Sequence, residues 1–361
     1  MDAAHLHQLL EALTVPGATD LHLKPGSPPR VRRKGVLETV AGEPPMSRDE
    51  VADLALVCFG GEGHASQIDG GIAATHAVDG VGRFRVRAYR QRGSIALVVK
   101  RIPDTVETLE ELGLPDQVRM LAELEHGLVI VAGPPHSGRR RTLASMLDHV
   151  NRVRAAHIVA VERPVELLHR DAMGSVSQLE VGTDALSFAD GLHNALDADA
   201  DVIVASDIDD ADAAAAALVA AEDGLLVMAG IEATSGVDAL QRFVELFPAE
   251  RRDGVRLSLA GLLRGTVTQR LAPRCNGVGR VPVVEVVLAT SAVCECLFDA
   301  GTMADIDFLV DHGHNDGMQS FVRATAALMH AGAIDLRGAL AVNDDWTRLH
   351  SELDRWGVLA S

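Results

Sequence analysis

The chain has 361 residues, a length that favours two domains of ordinary size. Hydrophobic residues make up 47% and charged residues 23%, a composition that buries a sizeable core and excludes a disordered chain, while 3% aromatics leave packing to aliphatic side chains and alanine. A formal charge of −18 opposes non-specific binding to nucleic acid or to an anionic membrane.

In chain order, residues 1–14 place Leu6, Leu9, Leu10 and Leu13 at helical spacing. LHL and PRVRRKGVLETV then alternate as short strands do, with turn punctuation at PGSPP. Residues 47–68 read as a helix, and GRFRVRAYRQRG and SIALVVKRIP, spanning 82–103, as two strands joined by a glycine-containing turn. These elements predict a small α+β domain over 1–103, followed by a linker, DTVETLEELGLP, over 104–115. From Gly127 the pattern changes. LVIVAG, HIVAVE, DVIVAS and LLVMAG are short continuous apolar runs, as expected for strands buried on both faces of a parallel sheet with crossover helices. The alanine-rich stretch 211–222 reads as a helix, as do 255–271 and 317–331.

Cys58, Cys275, Cys294 and Cys296 are too few and too scattered for a disulfide framework. Cys294-x-Cys296 lacks a second ligand pair at zinc spacing, so thiols in a reducing compartment are expected and no metal site. The start, MDAAHLHQLLEAL, has neither a basic region nor a long apolar core, and no window reaches the ~18 apolar residues of a membrane span. A cytoplasmic protein without direct membrane insertion is expected. Lys24, Lys34 and Lys100 are the only lysines, against thirty arginines.

The strand LVIVA runs into GPPHSGRRRTLASMLDHV at 133–150. Gly133 and Gly138 keep the spacing of a P-loop, a strand–loop–helix device whose backbone N–H groups surround phosphates. The segment resembles the P-loop of the pilus-retraction (PilT-like) and type II secretion ATPase family, where the loop reads close to GPTGSGKSTTLA. ATDLHLKPGSPPRVR, GRFRVRAYRQRG, RIPDTVETLEELGL, LFPAERRDGVRLSL, LRGTVTQRL and DGMQSF match further family segments in order, so the resemblance covers nearly the whole chain. It implies an α/β protein: an N-terminal PAS-like domain, then a RecA-like domain with a mostly parallel sheet and C-terminal helices over 116–350, assembled as a hexamer. ATP and Mg²⁺ are the implied cofactors. Gly133, Ser137, Gly138, Arg139, Arg140 and Thr142 fall on the nucleotide-binding loop.

The resemblance also exposes departures. Arg139 replaces the loop lysine, Arg140 the hydroxyl residue that would ligate Mg²⁺, and His136 a glycine. No lysine follows residue 100, so none is available from elsewhere in the domain. The aspartate-rich segment, close to TIEDPIE in the family, reads VERPVE, with Arg163 in an acidic place and Glu166 matching the catalytic glutamate. The Walker B segment reads DADVIVASDIDD, with Asp207 for glutamate and Asp209 for arginine. Glu232 stands at the histidine of the family's GTLHTTSA box. Arginine–carboxylate pairs among Arg139, Arg140, Arg141, Arg163, Asp207 and Glu232 are expected to fill the nucleotide space; the rival expectation is an arginine-lined anion site that holds nucleotide without Mg²⁺. Arg85, Arg90 and Arg92 match arginines with which related motors reach the γ-phosphate of a neighbouring subunit, and equally suit a solvated strand face.

These departures predict a motor paralogue impaired in hydrolysis, a regulatory or structural subunit working with active PilT-like subunits in a homo- or hetero-hexamer, or with the inner-membrane platform protein of a pilus. The alternatives are an active retraction ATPase with an altered site, working through Glu166 and Asp207, and a nucleotide sensor without turnover.

Overall fold

The computed structural model describes residues 3–59, 71–343 and 345–356. The chain divides into two units: Met1–Asp104 with Glu166–Leu168, and Thr105–Val165 with His169–Ser361.

In the first unit, helix α1 (Ala3–Glu11) buries Leu6, Leu9 and Leu10 completely, as their spacing on one helical face dictates. Six antiparallel strands follow: β1 (Ala18–Leu23), β2 (Arg30–Arg33), β3 (Val36–Thr39), β4 (Ile72–Val78), β5 (Gly82–Gln91) and β6 (Ser94–Ile102). Their order is β3-β2-β1-β6-β5-β4. Alternation along β5 buries Phe84, Val86 and Ala88 and turns Arg83, Arg85 and Arg87 to the other face. Helix α2 (Arg48–Cys58) starts at a capping box in which Ser47 and Glu50 satisfy each other's backbone N–H. It accounts for the first part of the helix expected over 47–68; residues 60–68 of that span lie outside the described residues.

The second unit opens with α3 (Leu109–Leu112) and α4 (Asp116–Ala122). The stretch expected as a linker thus contributes a buried side chain, Leu109, to the core beneath the sheet. The sheet strands are β7 (Gly127–Gly133), β8 (His157–Glu162), β9 (Ser175–Glu180), β10 (Val202–Ala205), β11 (Leu226–Glu232), β12 (Leu263–Pro273) and β13 (Arg280–Leu288). Their order is β13-β12-β7-β11-β10-β8-β9, parallel throughout except for the antiparallel β12–β13 pair. Helices α5 (Arg139–Val153), α6 (Phe188–Asp197), α7 (Ala211–Glu222), α8 (Gly236–Glu245) and α9 (Arg252–Leu262) pack on its faces. The four continuous apolar runs are the adjacent strands β7, β11, β10 and β8, and α7 matches the alanine-rich stretch.

One helix expectation fails. The span 255–271 is not a single helix, because α9 ends at Leu262 and β12 begins at Leu263. The β-branched run Thr266, Val267, Thr268 favours a strand, and β12 is paired on both sides, to β7 and β13. Beyond the sheet, α10 (Ser291–Phe298), α11 (Asp305–His312), α12 (Phe321–His330), α13 (Leu336–Leu340) and α14 (Trp346–Arg355) follow, and the last three share a core with β12 and β13 in which Leu349 and Leu353 are fully buried. Among the described residues no helix is long and apolar enough to cross a membrane.

Candidate functional site

Strand β7, the loop 134–138 and helix α5 form a strand–loop–helix device at the centre of the parallel sheet. The loop keeps its backbone course despite its altered side chains. Gly138 has φ 91°, and His136 takes a left-handed φ of 64° where a side chain costs about 1 kcal/mol. A Cβ on Gly133 would sit 2.3 Å from Ser137 Oγ and 2.6 Å from the Gln269 carbonyl oxygen, so only glycine fits there. The loop is held from within. Gln269 on β12, buried, donates from Nε2 to the Ser137 carbonyl at 2.8 Å and accepts at Oε1 from the Thr142 hydroxyl at 2.7 Å. Thr142 is therefore engaged by the strand. Ser137 Oγ, buried and without a partner, lies against Gly133.

Arg139 and Arg140, the first two residues of α5, turn into the cleft. Arg139 donates through Nη1 to the Gly133 carbonyl at 2.9 Å and through Nη2 to Asp207 Oδ1. Arg140 Nη2 donates to Asp207 Oδ2 at 2.7 Å. Both oxygens of Asp207, which follows β10, are thus taken by guanidinium groups. The Arg139 and Asp207 side chains are each only 13% exposed, so this is a largely desolvated pair, costlier to break by removing one partner than a surface bridge. Arg163 donates to Asp209 and stacks over the Phe188 ring at 4.9 Å.

Two expected members of the network lie elsewhere. Arg141 pairs with Glu107 at 3.4 Å on the exposed side of α5, because two residues along a helix is about 200° of rotation from Arg139. Glu232, at the end of β11, forms no ion pair with the loop arginines among the described residues; its field falls on Arg242 of α8, whose guanidinium is held firmly charged, chiefly by its hydrogen bond to Asp238.

These groups line one cavity of about 550 Å³. Its wall carries four guanidiniums, of Arg139, Arg140, Arg163 and Arg242, and four carboxylates, of Asp207, Asp209, Glu232 and Glu245. Glu166 is not on that wall. It is exposed and groups with the first unit, beside Leu168, whose N–H donates to the Pro103 carbonyl at 2.9 Å. Arg85 and Arg90 lie on β5, and Arg92 at the turn after it, all in the first unit. Among the described residues no cluster of three His, Cys, Asp or Glu side chains is placed to hold a metal ion. Gln269 was missed by sequence reasoning, although it lies in LRGTVTQRL, one of the segments that carries the resemblance.

A parallel sheet with a glycine-framed loop leading from its central strand into a helix defines a P-loop nucleotide-binding fold. A family model described as "Type II/IV secretion system protein" matches residues 95–326. Two Pseudomonas aeruginosa proteins are each 33% identical to the chain: the type IV pilus retraction ATPase PilT, over 92% of this chain and 96% of its own length, and the type IV pilus ATPase PilU, over 93% and 88%. The structure of a pilus retraction motor PilT with bound ADP superimposes with a TM-score of 0.86 at 31% identity, covering 97% of this chain and 99% of that one. The chain belongs to the PilT- and PilU-like family of type II/IV secretion ATPases.

Proposed function

We propose that the chain is a PilT-like motor subunit of a type IV pilus or type II secretion-like machine, cytoplasmic and hexameric, in which ATP hydrolysis is impaired and the role is regulatory or structural. The family supports the motor assignment. The impairment rests on one observation: Asp207 gives both oxygens to Arg139 and Arg140, inside a cavity wall with as many carboxylates as guanidiniums.

The glycine-framed loop fits a phosphate. The side chains do not fit a magnesium nucleotide. Arg140 stands where the resemblance places the metal-ligating hydroxyl, Asp207 offers a cation no free oxygen, and the Arg139 fork is turned onto Gly133 and Asp207. A polyanion entering this space has to displace charge-assisted bonds already made, so its net gain is small. No catalytic step is assigned to the chain on this reading. Partners are then active PilT-like subunits in a mixed ring, or the inner-membrane platform protein of the pilus.

The comparisons taken alone favour a second reading, an ATP-hydrolysing retraction motor with an altered site, since both P. aeruginosa relatives are named as ATPases. ATP binding and Mg²⁺-dependent turnover of the purified chain separate the two. The first reading expects little or no turnover in the parent and a gain in the Arg139→Lys/Arg140→Ser double variant. Clear turnover in the parent, lost in Glu166→Gln, establishes the second.

A further inference from the structure

We propose that the first unit carries an anion site of its own, built to hold a small phosphorylated molecule between Lys24, Arg48 and Arg92. The site is a cavity of about 760 Å³ walled by the β1–β2 loop, the start of α2 and the tip of the β5–β6 hairpin. Each wall brings one cation and one hydroxyl: Lys24 with Ser27, Arg48 with Ser47, Arg92 with Ser94. Its volume lies within the ~300–1,000 Å³ of ordinary small-molecule sites.

What sets this cavity apart is that three cations line it together. Arg32, Arg33 and Arg101 of the unit take carboxylate partners, Asp20, Glu38 and Asp104, whereas Arg30, Lys34, Arg83, Arg87 and Lys100 have none among the described residues and do not line the cavity. Lys24, Arg48 and Arg92 have no ion-pair partner among the described residues, in a chain with 51 acidic side chains. The three side chains are exposed and line one concavity, so their mutual repulsion is modest in water and an anion placed among them gains from all three.

The walls are fixed by the backbone. Gly26 N–H donates to the Met46 carbonyl at 2.8 Å, and Met46 N–H to the Ser27 carbonyl at 3.1 Å, which ties the Lys24 loop to the start of α2. On the hairpin, Gln91 pairs with Ser94 across a two-residue turn in which Arg92 has φ 47° and Gly93 φ 72°. Such a turn favours Asn or Gly at its first position; arginine is held there at a cost of about 1 kcal/mol. The end of α2 contributes little to binding. Its capping box already engages the N–H groups of Ser47 and Glu50, and turns the Glu50 carboxylate onto Ser47, so side chains must do the holding. Two guanidinium forks with an ammonium and hydroxyls match a phosphate or diphosphate better than a single carboxylate. Arg92 therefore belongs with Lys24 and Arg48, whereas Arg85 and Arg90 are not on this wall. The site does not depend on how the P-loop cleft functions.

The test is calorimetric titration of the full chain with inorganic pyrophosphate. The parent is expected to bind it, Lys24→Gln/Arg48→Gln to bind at least about tenfold more weakly with unchanged melting, and Arg139→Gln/Arg140→Gln to keep the parent affinity. No binding at millimolar pyrophosphate, or equal affinity in Lys24→Gln/Arg48→Gln, overturns the proposal. A phospholipid headgroup carries the same chemistry. Co-sedimentation of the parent with phosphatidylglycerol vesicles, lost in Lys24→Gln/Arg48→Gln, would replace the small molecule with a membrane surface and overturn that part of it.

Discussion

The two units handle charge in opposite ways. Residues 1–104 hold 13 Lys and Arg against 12 Asp and Glu, including all three lysines, whereas 105–361 hold 20 against 39. The nearly neutral unit leaves three cations unpaired around an open cavity. The strongly acidic unit turns two of the three arginines at the head of α5 onto a single carboxylate. The contrast lies at the two cavities, since Arg32, Arg33 and Arg101 of the first unit are paired as well.

The most severe way to break that contrast is Asp207→Ala. It removes the carboxylate shared by two guanidiniums at a helix N-terminus whose dipole already opposes them, and is expected to destabilise the second unit by about 3 kcal/mol. A fall of about 10 °C in melting temperature follows for a unit of this size. The same measurement on Lys24→Gln should move stability by less than about 0.5 kcal/mol, since an exposed unpaired cation supports nothing in the fold. Equal losses in the two variants would dissolve the distinction.

A buried carboxylate of the second unit predicts a pH effect of similar size. Glu285 on β13 is buried, and burial pushes its carboxyl up from 4.5 to about 7, with Asp307 adding to the rise while the Gly236 N–H, Arg270 and Arg348 oppose it. Between those two values the folded chain holds a proton that the unfolded chain releases, so stability falls as pH rises through the window. The expected loss is about 3 kcal/mol, measured by denaturant unfolding across the window, and Glu285→Gln should flatten the profile.

A smaller effect, about 2 kcal/mol, is expected for Gln269→Ala, which removes two buried bonds to the phosphate loop. The smallest is His136→Gly, a gain of about 0.5 kcal/mol from relief of the left-handed backbone, offset in part by glycine's unfolded freedom.

Much of the second unit was legible because β7, β8, β10 and β11 are buried on both faces and read as uninterrupted apolar runs. Strand β9 has only half-buried residues beyond Ser175 and gave no such signal. Strand β12 was masked by charged and small residues that read as helix, since its identity depends on pairing with β7 and β13 rather than on local pattern. At the site, the altered positions were visible through the resemblance, and so was the idea that arginines meet carboxylates. Which ones meet was not. Arg139 and Asp207 are 68 residues apart, Arg163 found Asp209 rather than Glu232, and Arg141 left the cleft by helical rotation.

The buried latch of Gln269 on the phosphate loop also bears on dynamics. A loop anchored to a sheet strand at Ser137, leading into a helix anchored to the same strand at Thr142, has little conformational entropy left to lose when a ligand arrives. Of its N–H groups, that of Ser137, buried and donating to the Pro134 carbonyl at 3.1 Å, should therefore exchange with solvent deuterium slowly in the ligand-free chain, at a rate set by opening of the sheet rather than by motion of the loop.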